Sequence, residues 1–569
     1  MRGIALAIWC LGSVVACGPG ARSNEGLPCS AGQTQCDGNE LLTCVDGHYA
    51  NNMKCANVCV PDLGCTLCVP GTGTCNGNTS TACNMDGMGY SMIDCDPVQG
   101  ETCDATSGVC TGACAPNVLG QSYIGCEYFP TVTGNIVGNE FDFAVALANT
   151  GNQNAMVTIE DGALTTPIMA TVPPNTLLVQ KLPWQQELKL CNDMPTPEAP
   201  CSTPLPSAVQ ATKGAYHLRS TSPITVYQFN SLEYALNSDS DFSYTNDASL
   251  LLPTNVWRKD YFVAGWEQIA GQNPAEMAVT ASQDGTMVTI NSKAATIASG
   301  AVPAFTPGTP NSVMLNAGDV LELTSLTGDF TGSEVTSTAP VEVIGGNYCA
   351  DIPEGVCCCD HVEESMFGVD QLGENYIVNA PAVTTEPSGK IEVIRIIATQ
   401  ANTTLTYNPP QTGAPASIAN PGDFVEIDGN VASFEIQASA HVLVAQYMEG
   451  EEADGAGTGD PAEALAVPVE QFRSSYTFQA PTNYESNYVD VTAPMGAMVM
   501  LDNGTPLTFT PIGTTGYGLS RVYPLTAGPN NDGNHTIMGD MPFGITVYGY
   551  GQYTSYWYPG GLNLNTVID

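Results

Sequence analysis

Residues 355–365 read GVCCCDHVEES, with Cys349 just upstream. Thiolate and imidazole are the donors that zinc and other transition metals take, so three adjacent cysteines beside Asp360 and His361 could hold a metal. The same cysteines could instead form a reactive thiol centre or a disulfide staple. Acidic loops offer a second chemistry. Asp239, Asp241 and Asp247 cluster in NSDSDFSYTND, and Glu449, Glu451, Glu452 and Asp454 in another loop. Calcium takes six to eight oxygen ligands and would suit such clusters, although the first lacks the glycine and terminal glutamate of an EF-hand loop. A solvated acidic loop is the plainer reading. No catalytic set emerges: there are five histidines, no G-x-S-x-G and no H-E-x-x-H. Glu363 and Glu364 are adjacent and therefore point in different directions, which does not make an acid/base pair.

The compartment narrows these choices. Residues 1–17 carry one cation, Arg2, then an apolar run too short to span a bilayer, which is the layout of a secretory leader. The run ends in Val14-Val15-Ala16-Cys17, which resembles the lipobox of bacterial lipoproteins and implies acylation of Cys17. Residues 18–28 then read as a linker. Membrane attachment is expected through this lipid only, at the outer membrane or cell surface. The balance of 57 acids against 14 bases, a net charge of −43, excludes nucleic acid as a partner, because binding it needs a basic footprint. With Cys10 and Cys17 set aside, twenty of the 22 cysteines remain, an even number that a secreted chain spends on disulfides.

Fourteen of the twenty fall between Cys29 and Cys126, and the stretch repeats itself. CSAGQTQCDGNELLTC from Cys29 and CVPGTGTCNGNTSTAC from Cys68 share C-x6-C-x7-C, paired glycines (Gly32 with Gly71, Gly38 with Gly77) and an asparagine, Asn39 or Asn78. Later cysteines also correspond: Cys55 with Cys95, Cys59 with Cys103, Cys65 with Cys110. Two stapled modules are expected, over 29–66 and 67–113, because units this small bury too little apolar surface to fold unaided. Six cysteines allow fifteen connectivities, and spacing does not choose among them. Cys114 and Cys126 are expected to pair.

Beyond residue 114 the pattern is all-β: period-2 alternation broken every ten residues or so by Gly, Pro, Asn and Asp. Unit openings recur at Tyr123, Tyr261, Tyr376 and Tyr476. Late strands begin at Ser222, Ala339, Ser439 and Pro542, spaced by 117, 100 and 103 residues. The fold class expected is therefore tandem β-sandwich-like repeats over 114–260, 261–375, 376–475 and 476–569, with a β-propeller as the alternative. An aspartate recurs after three late strands, at Asp247, Asp360 and Asp460, where its expected task is to cap a turn.

Several segments, in order, carry a family resemblance: NDASLLLPTNVWRKDYFVAGW, GGNYCADIPEGVCCCDHVEE with LGENYIVNAP, and YGQYTSYWYPGG. Residues 120 to 569 resemble the N-terminal domain of IgGFc-binding proteins, found in mucus-associated animal proteins and in secreted bacterial proteins, notably myxobacterial ones. The resemblance implies a noncatalytic, extracellular binding or adhesion module, with a glycoprotein, matrix or cell-surface ligand and no cofactor. A carbohydrate-binding or carbohydrate-hydrolysing protein is the alternative. On this reading CCC decorates one repeat and is a staple. Cys349 bridges one of the three, and the other two either join each other or pair elsewhere, with Cys191 and Cys201 as candidates. Those last two flank a proline-rich insertion that a single disulfide between them would clip.

Overall fold

The computed structural model describes residues 29–190, 205–236, 242–269, 271, 273–356, 358–383, 390–454 and 458–567. It is almost entirely β, as the alternation predicts, and forms two compact bodies. Of the described residues, 29–95 and Thr102–Thr111 form one, and Asp96–Glu101 with those from Gly112 onward form the other. Among the described residues no helix is long and apolar enough to cross a membrane.

The first body is two copies of one module. Each has a three-stranded antiparallel sheet: Thr34–Asp37, Glu40–Val45 and His48–Lys54, then Gly73–Asn76, Thr79–Cys83 and Tyr90–Asp94. Both copies choose the same connectivity out of the fifteen: first to third, second to fifth, fourth to sixth. The bridges are Cys29–Cys44, Cys36–Cys59 and Cys55–Cys65, then Cys68–Cys83, Cys75–Cys103 and Cys95–Cys110. The matched glycines hold positive φ, +61° at both Gly38 and Gly77, where a side chain would be disfavoured. Each matched asparagine ties its hairpin to the fourth cysteine. The N–H of Cys55 donates to Asn39 O and that of Cys95 to Asn78 O, both at 2.9 Å, and each asparagine amide returns a bond to the cysteine carbonyl.

The second body contains four sheets of seven, eight, seven and seven strands. Each is organised by one long strand: Tyr216–Asn230, Glu334–Ala350, Ser433–Met448 and Asn534–Gly551. The N-terminal half of each long strand pairs with an opening strand (Gly125–Tyr128, Arg258–Phe262, Gly373–Asn379, Arg473–Gln479) on one side and a hairpin strand on the other. The C-terminal half pairs with a different pair of strands, so the sheet folds over along its central member. In the third sheet the enclosed core joins Tyr376 and Leu405 of one layer to Ile394, Ile396 and Val444 of the other, which is a sandwich. One strand departs from this order. Ala208–Ala211, within the stretch expected to form the first unit, pairs with Val320–Ser325 of the second sheet.

The bend in each long strand falls at a recurrent sequence position. Pro223, Pro340 and Pro542 stand at corresponding points, with His441 in the third copy. Proline has no N–H to give the ladder, and the register against the opening strand shifts at this point in all four copies, the histidine-bearing third included. Two residues earlier, a side-chain oxygen stands in as acceptor. Thr221, Thr338, Ser439 and Asp540 receive the N–H of Met156, Met287, Thr404 and Met498 at 2.8–3.0 Å. A buried tyrosine then spans each bend. The phenol of Tyr128, Tyr261, Tyr376 or Tyr476 accepts the N–H three residues before it (2.6–3.1 Å). Each donates in turn to the carbonyl of Ile224, Val341, Val442 or Phe543. In the first repeat this tyrosine is Tyr128, not Tyr123, because the opening strand there is Gly125–Tyr128. Tyr123 instead takes part in closure: its N–H donates to Leu562 O, and the N–H of Leu564 donates to Gln121 O, so the end of the fourth repeat seals onto the start of the first.

Candidate functional site

The recurring aspartates lead to the middle of the second body. Each sheet ends in an inner strand paired to the C-terminal half of its long strand: Asp247–Leu251, Asp360–Ser365, Glu463–Leu465 and Thr554–Pro559. These four adjoin one another in order, and the fourth adjoins the first, so they line a central axis. Every residue of all four is buried.

Strand register corrects the apparent repeat of Asp247, Asp360 and Asp460. Ser249, Glu364, Ala464 and Tyr558 face equivalent points of the long strands, Gln228, Gly345, Gln446 and Val547. Counting back from them, Asp360 and Asp460 share their level with Thr245 and Thr554. Asp247 lies two residues further along, level with Val362, Ala462 and Tyr556. A shift of two residues keeps a side chain on the same face, so alternation alone does not reveal it.

That position makes Asp247 the hub of the axis. Its Oδ1 accepts the N–H of Ala248 (2.9 Å) and of Trp557 (3.2 Å), and its Oδ2 accepts the N–H of Glu363 and of Glu463, both 3.1 Å. Ala248, Glu363, Glu463 and Trp557 are the equivalent residues of the four inner strands, so one carboxylate collects the same N–H from every repeat. Burial raises its proton affinity well above the usual carboxylate value, against the pull of those donors. Asp360 binds a second layer. Oδ1 accepts the N–H groups of Asn246 and His361, and Oδ2 accepts the Thr554 hydroxyl and the Ser555 N–H. Asp460 accepts the N–H of Glu451 at 3.1 Å and of Cys358 at 3.4 Å. The capping role expected of these aspartates is thus played between repeats rather than within one turn.

His361 faces inward beside these strands. Its Nε2 lies 3.2–3.4 Å from Asn230, Thr133 and Glu363, and its Nδ1 lies 3.7 Å from Glu276. Glu363 also receives bonds from Gln228 and Ser249. Burial pushes its pKa up, but the His361 imidazole and the bonds from Thr133 and Gln228 leave it below the ordinary value. Glu276 and Glu322, two further buried acids from neighbouring strands, are held well above it by burial. Sequence inspection passed over Glu276, Glu322, Glu342 and Glu392. The available signal was a lone acid inside an apolar run, as in PAEMAVT, VLELTS, PVEVIGG and KIEVIRI.

The cysteine segment closes as a staple. Cys349 bridges Cys359, Cα to Cα 5.1 Å, Cys358 is itself disulfide-bonded, and Cys114 joins Cys126. Cys191, Cys201 and Cys357 lie outside the described residues, as do Cys17, Asp239 and Asp241.

The axis is closed to a large ligand, but the surface offers a cleft of about 580 Å³ where the second and third sheets begin. Trp257, Arg258, Lys259, Asp260, Asp370 and His441 line it. Arg258 Nε binds both oxygens of Asp370, at 2.9 and 3.1 Å, while burial and the neighbouring carboxylates Glu334 and Asp370 raise the pKa of Asp260.

Comparison with known proteins agrees with this architecture. The human IgGFc-binding protein is 29% identical over 248 residues, 43% of this chain, and the aligned stretch is only 4% of that much longer relative. The family model described as IgGFc binding protein matches residues 247–549, from the hub aspartate to the last long strand. A match over more than half of the chain shows that this protein belongs to the IgGFc-binding protein family.

Proposed function

We propose that this is a noncatalytic extracellular binding protein, held at a membrane surface by acylated Cys17 in the manner of a bacterial lipoprotein. In this reading the disulfide modules act as a spacer, and the four β repeats present loops for adhesion to an extracellular glycoprotein, matrix or cell-surface ligand. The family match over residues 247–549 carries the reading. The disulfides support it, since such bonds persist in oxidising compartments. So does the burial of the axial acids, which hold backbone together where a catalytic pair would have to meet substrate.

The test is saturable binding of the immobilised full chain to immunoglobulin Fc, mucin-type glycoproteins and cell-surface extracts, with and without calcium. Absence of binding to all of them would sink the proposal. The cleft favours one second reading, a carbohydrate-binding or carbohydrate-hydrolysing protein. Asp260, whose proton affinity burial raises, and Asp370, held by Arg258, line the cleft with Trp257, and a pair of carboxyl groups is what glycoside hydrolysis uses. Sugar release that disappears in Asp260→Asn would select that reading.

A further inference from the structure

Methionines occupy one repeated position on the solvent side of the second body. The hairpin strands of the first, second and fourth sheets read AMVTI, TMVTI and AMVML, placing Met156, Met287 and Met498 in register. Their equivalence rests on geometry as well as sequence, because each donates its N–H to the bend residue of its long strand. The valine that follows each is buried, so these methionines point outward; Met156 and Met498 are each 52% exposed. A second methionine sits across the ladder. Met169 is diagonal to Met156, and Met314 lies directly opposite Met287. The third sheet has Thr404 there instead.

The fourth sheet concentrates the pattern. Met498 and Met500 alternate outward on one strand, Met538 lies directly opposite Met500, and Asp540 stands beside Met498 with its Oδ1 accepting that residue's N–H. Met538 is 46% exposed, and Met495 and Met541 flank the group, also exposed. Directly opposed side chains in a ladder start about 4.5–5.5 Å apart at Cβ. Methionine has three rotatable bonds and a polarizable sulfur two bonds beyond Cβ, so these thioethers can meet around one ion above the sheet. Uncharged soft sulfur suits copper(I), whereas calcium and magnesium ask for several oxygens and find one carboxylate here.

We propose that Met498, Met500 and Met538 form a thioether site for a soft monovalent cation, copper(I), with Asp540 supplying countercharge. The two-methionine faces of the first and second sheets are weaker versions of it. Silver(I) and ascorbate-maintained copper(I) serve as probes, titrated calorimetrically and by chelator competition into the oxidised, alkylated full chain. One tight equivalent is expected. It should vanish in M498L/M500L/M538L and persist in M156L/M169L/M287L/M314L. Leucine keeps volume and apolarity, and unchanged circular dichroism verifies folding. A triple variant that binds silver as tightly as the parent overturns the proposal, as does equal loss in the control variant. A second readout is independent of affinity: silver must slow peroxide oxidation of the three methionines, followed by peptide mass, and equal oxidation rates with and without silver also overturn it.

Discussion

The two bodies solve the same problem of stabilising repeats by opposite means. In the disulfide modules each repeat closes on itself: three bridges with one connectivity are made twice, and few side chains are fully buried. In the β body the repeats close on one another, through a continuous core and an axis where equivalent N–H groups converge on Asp247. Covalent closure tolerates identical copies. Closure at an axis does not, because a single side chain fills the centre, and only the first repeat has an aspartate at that level. Repetition of a backbone can therefore require asymmetry in the sequence.

Reduction gives the largest separation between the two. Losing a native disulfide from a small domain costs about 2–5 kcal/mol, and each module would lose three. Under dithiothreitol, limited proteolysis should clear residues 29–111 while most of the β body stays intact. Simultaneous digestion of both at the same reductant concentration would contradict the comparison.

Asp247→Ala is next. It strips the acceptor from four buried N–H groups, each worth about 1–3 kcal/mol when left unpaired, so the loss should be on the order of several kcal/mol in denaturant titration. Asp247→Asn keeps one acceptor oxygen but turns an amide donor toward two N–H groups, and should fall between. Asp460→Asn should cost less than either, since fewer N–H groups meet there. A ranking with Asp460 above Asp247 would place the hub elsewhere.

Acidity separates the bodies more gently. Burial lifts Glu392 and Glu463 to about 8, against the pull of bonds from Gln446 and Asn430 to the first and from Tyr447 to the second. Unfolded, both would titrate near 4.3. The folded β body therefore holds these protons longer than the unfolded chain. Their contribution is fully present below about pH 4.3 and is lost as pH rises through about 8. Denaturant midpoints of the β body should fall between pH 5 and 8.5 at fixed ionic strength, and E392Q/E463Q should flatten the slope. The reductant sensitivity of the modules should be compared at one pH to keep thiol chemistry constant.

How much of this was legible follows from which forces are local. Cysteine spacing, matched glycines and asparagines reported both modules, because turns and staples are set within a few residues. Alternation reported the β class and the late strands. Connectivity did not show, because six cysteines at fixed spacing fit many pairings until the sheet fixes which sulfurs meet. Register did not show either: Tyr123 masked Tyr128, and Asp247 masked Thr245, since a tyrosine or aspartate a few residues away satisfies the same pattern. The axial site was half visible. Asp247, Asp360, Asp460 and His361 stood out, but their partners come from strands up to 310 residues distant, as between Asp247 and Trp557. The acids Glu276 and Glu392 drew no notice in the sequence, and burial identifies them as core groups.

The smallest expected effect tests whether the four repeats are energetically as alike as they are geometrically. Tyr376→Phe keeps the buried ring and removes only the hydroxyl that accepts Gly373 N–H (3.1 Å) and donates to Val442 O (2.5 Å). Two neutral hydrogen bonds are lost while the main-chain groups stay buried, so about 1–2 kcal/mol should disappear from the unfolding free energy, with the denaturant slope unchanged. Tyr128→Phe, Tyr261→Phe and Tyr476→Phe break the corresponding bonds at the same bend, and their losses should fall in the same range of about 1–2 kcal/mol. Tyr123→Phe is the matched control: equally buried, it spans no bend, and should cost less than any of the four. Equal losses at all five tyrosines would mean that burying a phenol, rather than latching the bend, accounts for the effect. A large loss at Tyr376 alone would mean that the third repeat, whose bend has His441 in place of proline, depends on its latch in a way the proline-bearing repeats do not.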